Sequence, residues 1–80
     1  MAKKINFLSV SEVDRAHGAL LDFHVEHVVV SYPDNKYIVV LNRNLEDAKT
    51  AIEGAKLSPR RISNQRHYER IAAVHKHYTK

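Results

Sequence analysis

Eighty residues with thirteen Lys or Arg against nine Asp or Glu, a formal net charge of +4, leave room for one small domain and a single core. The chain has no cysteine, which excludes disulfides, thiolate metal sites and a cysteine nucleophile and fits a reducing interior. The opening MAKKINFLSV has two lysines and only a short apolar run. A secretory signal needs about 7–15 apolar residues and a membrane span about 20, so the expected setting is cytoplasmic, with no membrane partner.

The charge is unevenly spread. From Ser58 to Lys80 six basic residues face one acid, Glu69, a net of +5. Residues 1–57 hold seven basic and eight acidic residues, a net of −1. A near-neutral body with a basic C-terminal segment over about 60–80 is therefore expected within one domain, 1–80.

In chain order, Ile5–Val10 reads as a short first strand. Ser9-x-x-Glu12 and Ser11-x-x-Asp14 both offer a hydroxyl to the free amides of a helix start. A helix follows over about Glu12–Leu21, with Val13, Ala16, His17, Leu20 and Leu21 on one apolar stripe. Gly18 within it costs about 1 kcal/mol relative to alanine, unless it allows close approach to the sheet.

The densest β-branched run, His24–Leu41, predicts an antiparallel hairpin. Val25 and Val28–Val30 precede a polar break, and Ile38–Leu41 follow it. Pro33, Asp34 and Asn35 supply turn chemistry for a loop of four or five residues. By strand parity Val28, Val30 and Tyr32 share one face, and Val25, His27 and Val29 the other. Tyr37, Val39 and Leu41 likewise oppose Ile38 and Val40. A sheet apolar on both sides is either covered twice or offers one face to a partner.

Asn44 then reads as an N-cap, with Glu46 and Asp47 complementing the helix dipole. A second helix is expected over Leu45–Lys56, with Leu45, Ala48, Ala51, Ile52 and Ala55 on its apolar stripe. Pro59 breaks the chain, and a third helix is expected from Ser63 or Asn64 to near the C-terminus. The expected fold class is α+β in the order βαββαα. It comprises a three-stranded sheet centred on the hairpin, two helices packed on it and a basic C-terminal helix. That order resembles half of a ferredoxin-like βαββαβ plan, whose last strand would fall within Leu57–Ser63. Pro59 and two arginines argue against a strand there.

On the third helix, Tyr68, Ile71, Ala72, His75 and Tyr78 cluster on one side. Arg66, Arg70, Ala73, His77 and Lys80 take the other, and Lys76 lies on the border. Three readings fit such a ridge: a solvated face, a nucleic-acid phosphate contact, or a dock for an acidic protein. The lead expectation is a non-enzymatic protein that contacts DNA or RNA through Arg60, Arg61, Arg66, Arg70, Lys76 and Lys80, with Lys36 at the hairpin. Tyr32 and Tyr37 would stack on bases or contact the partner, unless they simply pair with each other across the hairpin. The alternative is a small inhibitor or regulator of a larger protein or nucleoprotein complex, of the phage-encoded type. It would act through the sheet face or the C-terminal helix. A homodimer would form through the same sheet face.

Six histidines invite a metal reading that spacing argues against. His24 and His27 point to opposite sides of a strand, and His75 and His77 lie about 200° apart around a helix. His17 and His75 fall on apolar stripes. With only Gly18 and Gly54, no Gly-rich phosphate or dinucleotide loop exists. Glu12, Asp14, Glu46 and Asp47 belong to helix starts. No catalytic residue, metal or cofactor is expected, and the chain reads as no enzyme.

Overall fold

In the computed structural model, which describes residues 1–79, each polar stretch of the C-terminal third is put to structural use. The chain runs β1 (Ala2–Asn6), α1 (Val10–Asp22), β2 (His27–Tyr32), β3 (Asn35–Leu41) and a 3-10 turn (Asn42–Asn44). It continues through α2 (Leu45–Gly54), β4 (Arg61–Gln65), α3 (Tyr68–Val74) and β5 (Lys76–Tyr78). The strands form one sheet of five in the order β4-β1-β3-β2-β5, with every neighbouring pair antiparallel.

This corrects the expectation of a three-stranded sheet with two helices on it. Three α-helices and five strands are present, although the class remains α+β. Two consecutive strand–helix–strand units, β1-α1-β2 and β3-α2-β4, complete the ferredoxin-like βαββαβ order, and α3-β5 is appended to it. The missing strand forms because β1 would otherwise leave a bare ladder edge. Arg61 pairs with Asn6, Ile62 with Ile5 and Ser63 with Lys4. Pro59 lies outside that ladder, so its missing amide costs nothing. The first backbone bond runs from the amide of Arg60 to the carbonyl of Asn6, at 2.7 Å.

The expected long third helix breaks for the same kind of reason. Its apolar spacing persists only through Tyr68, Ile71 and Ala72, which pack on the sheet. His77 then pairs with Val28 and Tyr78 with His27, giving β2 an outer neighbour. A bare strand edge captured a segment whose local pattern also fits a helix.

The helices before the break are closer to expectation. Ser9 Oγ accepts from the amide of Glu12 at 3.2 Å, the N-cap bond, and Glu12 Oε1 reaches back past the cap to accept from the amide of Leu8. The first strand is therefore Ala2–Asn6 and not Ile5–Val10, since Ser9 starts the helix. Asn44 stands before α2 but makes no side-chain cap bond. The hairpin turn is tighter than expected: Tyr32 pairs with Asn35, leaving Pro33 and Asp34 to span it.

Both long helices end on a non-glycine residue at positive φ, His24 at 56° and Lys56 at 59°. In each, the next amide reaches back to an early carbonyl, Val25 to Leu20 and Leu57 to Ile52, and the residue donating it is buried. Val25 and Leu57 are thereby driven into the core.

The sheet divides two apolar clusters. Val13, Ala16 and Leu20 of α1 and Ala48, Ala51 and Ile52 of α2 pack on Ile5, Val29, Ile38 and Val40. On the other side α3 lays Tyr68, Ile71 and Ala72 over Val28, Val30, Tyr37 and Val39. The apolar faces inferred from parity are thus covered on both sides. No helix among the described residues is long and apolar enough to cross a membrane.

Candidate nucleic-acid interface

Strand parity decides where each cation goes. In β1, Ile5 faces the α1/α2 layer, so Lys4 and Asn6 face the α3 side. Lys4 sits between Val39 and Ser63, and its Nζ lies 4.5 Å from the centre of the Tyr37 ring, a cation–π contact. Arg61 pairs with Asn6, and together with Arg60 they line a recess of about 300 Å³ with Lys4. Three cations therefore converge at the start of β4.

At the far end of the same strand, Arg66 and His67 line a second recess of about 370 Å³ with Gln65 and Ala2. Arg70 follows on α3, exposed, beside Arg43 from the 3-10 turn. The two ends of β4 lie roughly 13 Å apart at the usual strand rise. Among the described residues no carboxylate lies within ion-pair reach of Lys4, Arg60, Arg61, Arg66 or Arg70.

The remaining residues expected at the site are placed elsewhere. Lys36 faces the α1 side, where its ammonium binds Asp14 at 2.6 Å. Lys76 stands on β5, at the opposite edge of the sheet from β4, opposite Val29 of the α1-side cluster. The single helical ridge of Arg66, Arg70, Lys76 and Lys80 is therefore not formed, because Lys76 belongs to a strand. Lys80 lies outside the described residues.

Tyr37 is only 9% exposed, buried against α3's cluster with Lys4 above it, and burial pushes its hydroxyl pKa up, with Tyr32 adding to it. Its cross-strand neighbour is Val30, and Tyr32 is opposite Asn35, so the two tyrosines are not directly opposed. Tyr32 is half exposed and packs edge-on against His75, its hydroxyl 3.3 Å from Nε2. Of the two aromatics only Tyr32 is open to a ligand.

Two polar clusters lie beyond what the sequence indicated. His27, fully buried, donates from Nδ1 to the carbonyl of Val25 at 2.7 Å. Its neutral Nε2 must then accept, so the 2.8 Å contact to His17 is a bond donated by His17 Nδ1. The Tyr78 ring stacks on His27 and tilts against His17. Burial lowers the pKa of both rings; Asp14 partly offsets this for His17, and the Val25 carbonyl for His27.

In the second cluster Glu26 Oε2 accepts from Tyr68 Oη at 3.2 Å and from His77 Nε2 at 3.1 Å. Burial, then the charge of Glu26 and its hydrogen bond, drive the Tyr68 hydroxyl pKa far up, so it is a fixed donor. Neither cluster groups three ligands about a metal position, and none is found among the described residues.

Lys4 and Asn6, in the recess at the start of β4, and Arg43, ion-paired with Glu26 at 3.6 Å, are residues that sequence reasoning missed. Placing the first strand at Ile5–Val10 left Lys4 out of it. Its place beside Tyr37 follows from the pairing of β1 with β3, for which Ala2-Lys3-Lys4-Ile5 carries no local signal. Arg43 carried no signal beyond its charge. No protein-family model, curated protein or solved structure matches the chain.

Proposed function

We propose that the protein is a non-enzymatic nucleic-acid-binding protein that holds the phosphate backbone along β4. Lys4, Arg60 and Arg61 take phosphates at one end, and Arg66 and Arg70 at the other. The observation that carries this reading is the set of cations without acidic partners at the two ends of β4, Lys4, Arg60 and Arg61 at one and Arg66 at the other, with Arg70 beyond it on α3. Cations already paired to carboxylates gain little from a phosphate, whereas unpaired ones displace the polymer's counterions. The span of β4 suits a few nucleotides of a single strand, and exposed Tyr32 at the hairpin end gives a ring on which a base can stack.

The test is fluorescence anisotropy of labelled single- and double-stranded DNA and RNA at low and near-physiological salt. Affinity should fall linearly with log salt, and Arg60→Glu/Arg61→Glu should reduce it at least tenfold. Absence of binding at low salt would overturn the proposal. Lys76→Glu, at the opposite edge, should change affinity much less.

A further inference from the structure

A recess of about 920 Å³ opens between α3, the end of β3 and the 3-10 turn. It differs in kind from the β4 track. Glu26 lies 3.6 Å from Arg43 in its lining and Glu69 adds a second carboxylate, so it is less basic than the β4 track, while Arg70 keeps no carboxylate partner. Leu41, Ala72 and Ala73 give it apolar walls that suit a flat ring.

Glu26 decides what kind of ring. Its side chain is only 20% exposed, and its two oxygens are unequally engaged. Oε2 accepts from Tyr68 and His77, while Oε1 has only an Arg43 nitrogen at 3.6 Å, beyond hydrogen-bond length. A carboxylate oxygen accepts about two bonds, and since no side-chain oxygen among the described residues is both buried and unpartnered, Oε1 is open to solvent and can exchange water for a ligand donor. Tyr68 and His77 hold the group in place, so Oε1 is a fixed acceptor in the recess.

We propose that this recess takes one unpaired base carrying an exocyclic amine, which donates to Glu26 Oε1, while the flanking phosphates lie on Arg66 and Arg70. This rests on the nucleic-acid reading and adds base discrimination to it. Cytosine presents its amine as a donor, the contact that a carboxylate makes with that base. Uracil, of the same shape, presents a carbonyl there, and its ring N–H is flanked by two carbonyl oxygens that the carboxylate repels.

The experiment compares labelled oligo(C) and oligo(U) of equal length at neutral pH. Oligo(C) should bind on the order of tenfold tighter. Glu26→Gln, checked for folding by circular dichroism, should abolish that preference, because its amide can turn to serve either base. A second readout needs no variant: cytidine 5′-monophosphate should shift the ring proton signals of Tyr68 and His77, and uridine 5′-monophosphate should not. Equal binding of the two oligomers, a preference that survives Glu26→Gln, or unmoved ring signals would overturn this inference. In the case of equal binding with a steep salt dependence, the β4 reading stands alone. If neither oligomer binds at low salt, both fall.

Discussion

His27 has no exposure to solvent, and both of its ring nitrogens are engaged, one by a carbonyl and one by His17. The chain His17 to His27 to Val25 holds only while His27 is neutral, since a proton on its Nε2 would set donor against donor. Both folded pKa values are lowered, chiefly by burial, so below about 6.5 the unfolded chain binds more protons than the folded one. Stability should be fully present above that pH and fall as pH drops below it. Urea midpoints at pH 7.5, 6.5 and 5.5 should decrease in that order, with a shallower trend in His17→Ala. A flat wild-type profile would contradict the assignment. Gly18 gives a simpler prediction. A Cβ built there meets nothing within 4 Å, so the glycine serves no close approach to the sheet. Gly18→Ala should stabilise by up to about 1 kcal/mol in the same urea assay. At this scale the sequence was partly legible. Ser9 announced its cap through local spacing, but the pairing of His17 with His27 depends on how α1 packs against β2.

Among the elements, those with an internal signal were readable and those recruited by a neighbour were not. The hairpin carries β-branched runs on both sides of a proline turn, and α1 and α2 carry apolar stripes, so each declares itself locally. β4 and β5 do not. Arg61–Gln65 is exposed or half-buried throughout, and Lys76–Tyr78 has only three residues. Their strand character comes from the open edges of β1 and β2, which lie far off in sequence. The basic residues suffered the same fate. Arg60 and Arg61 join Lys4 only because β4 exists, and Lys76 leaves the group only because β5 does. The appended α3-β5 segment depends on that last pairing. Truncation after Val74 removes Tyr78 from the histidine cluster and His77 from Glu26. Helix α3, at seven residues, is too short to persist unaided. Hydrogen exchange of the Ile71 amide, bonded to the carbonyl of His67, should accelerate by at least tenfold in the truncated chain, while the Ile52 region of α2 stays protected.

For the molecule as a whole, the sheet sorts charge by edge and by face. Lys36 is neutralised by Asp14 on the α1 side, and Lys76 stands on β5, whereas Lys4, Arg60, Arg61 and Arg66, all without carboxylate partners, lie at the two ends of β4. Charge-reversal variants in full-length protein should therefore fall into two groups in the anisotropy assay. Arg66→Glu/Arg70→Glu should lower affinity and the salt slope together by removing about two phosphate contacts. Lys36→Glu/Lys76→Glu, with the same change in net charge, should leave the slope nearly intact. Equal losses in both would mean that overall charge, and not the β4 alignment, governs attraction.

The strand order also bears on how the chain is made. β1 leaves the ribosome first, yet one of its partners is Arg61–Gln65, and β2 waits for Lys76–Tyr78. Both edges of the hairpin-centred sheet therefore stay bare during most of synthesis, when pairing with another nascent chain competes with correct closure. The lysines at positions 3 and 4 place charge on that early strand. A ribosome-stalled chain ending near Leu57 should bind chaperones and resist folding, and the native sheet should close only after Tyr78 has emerged.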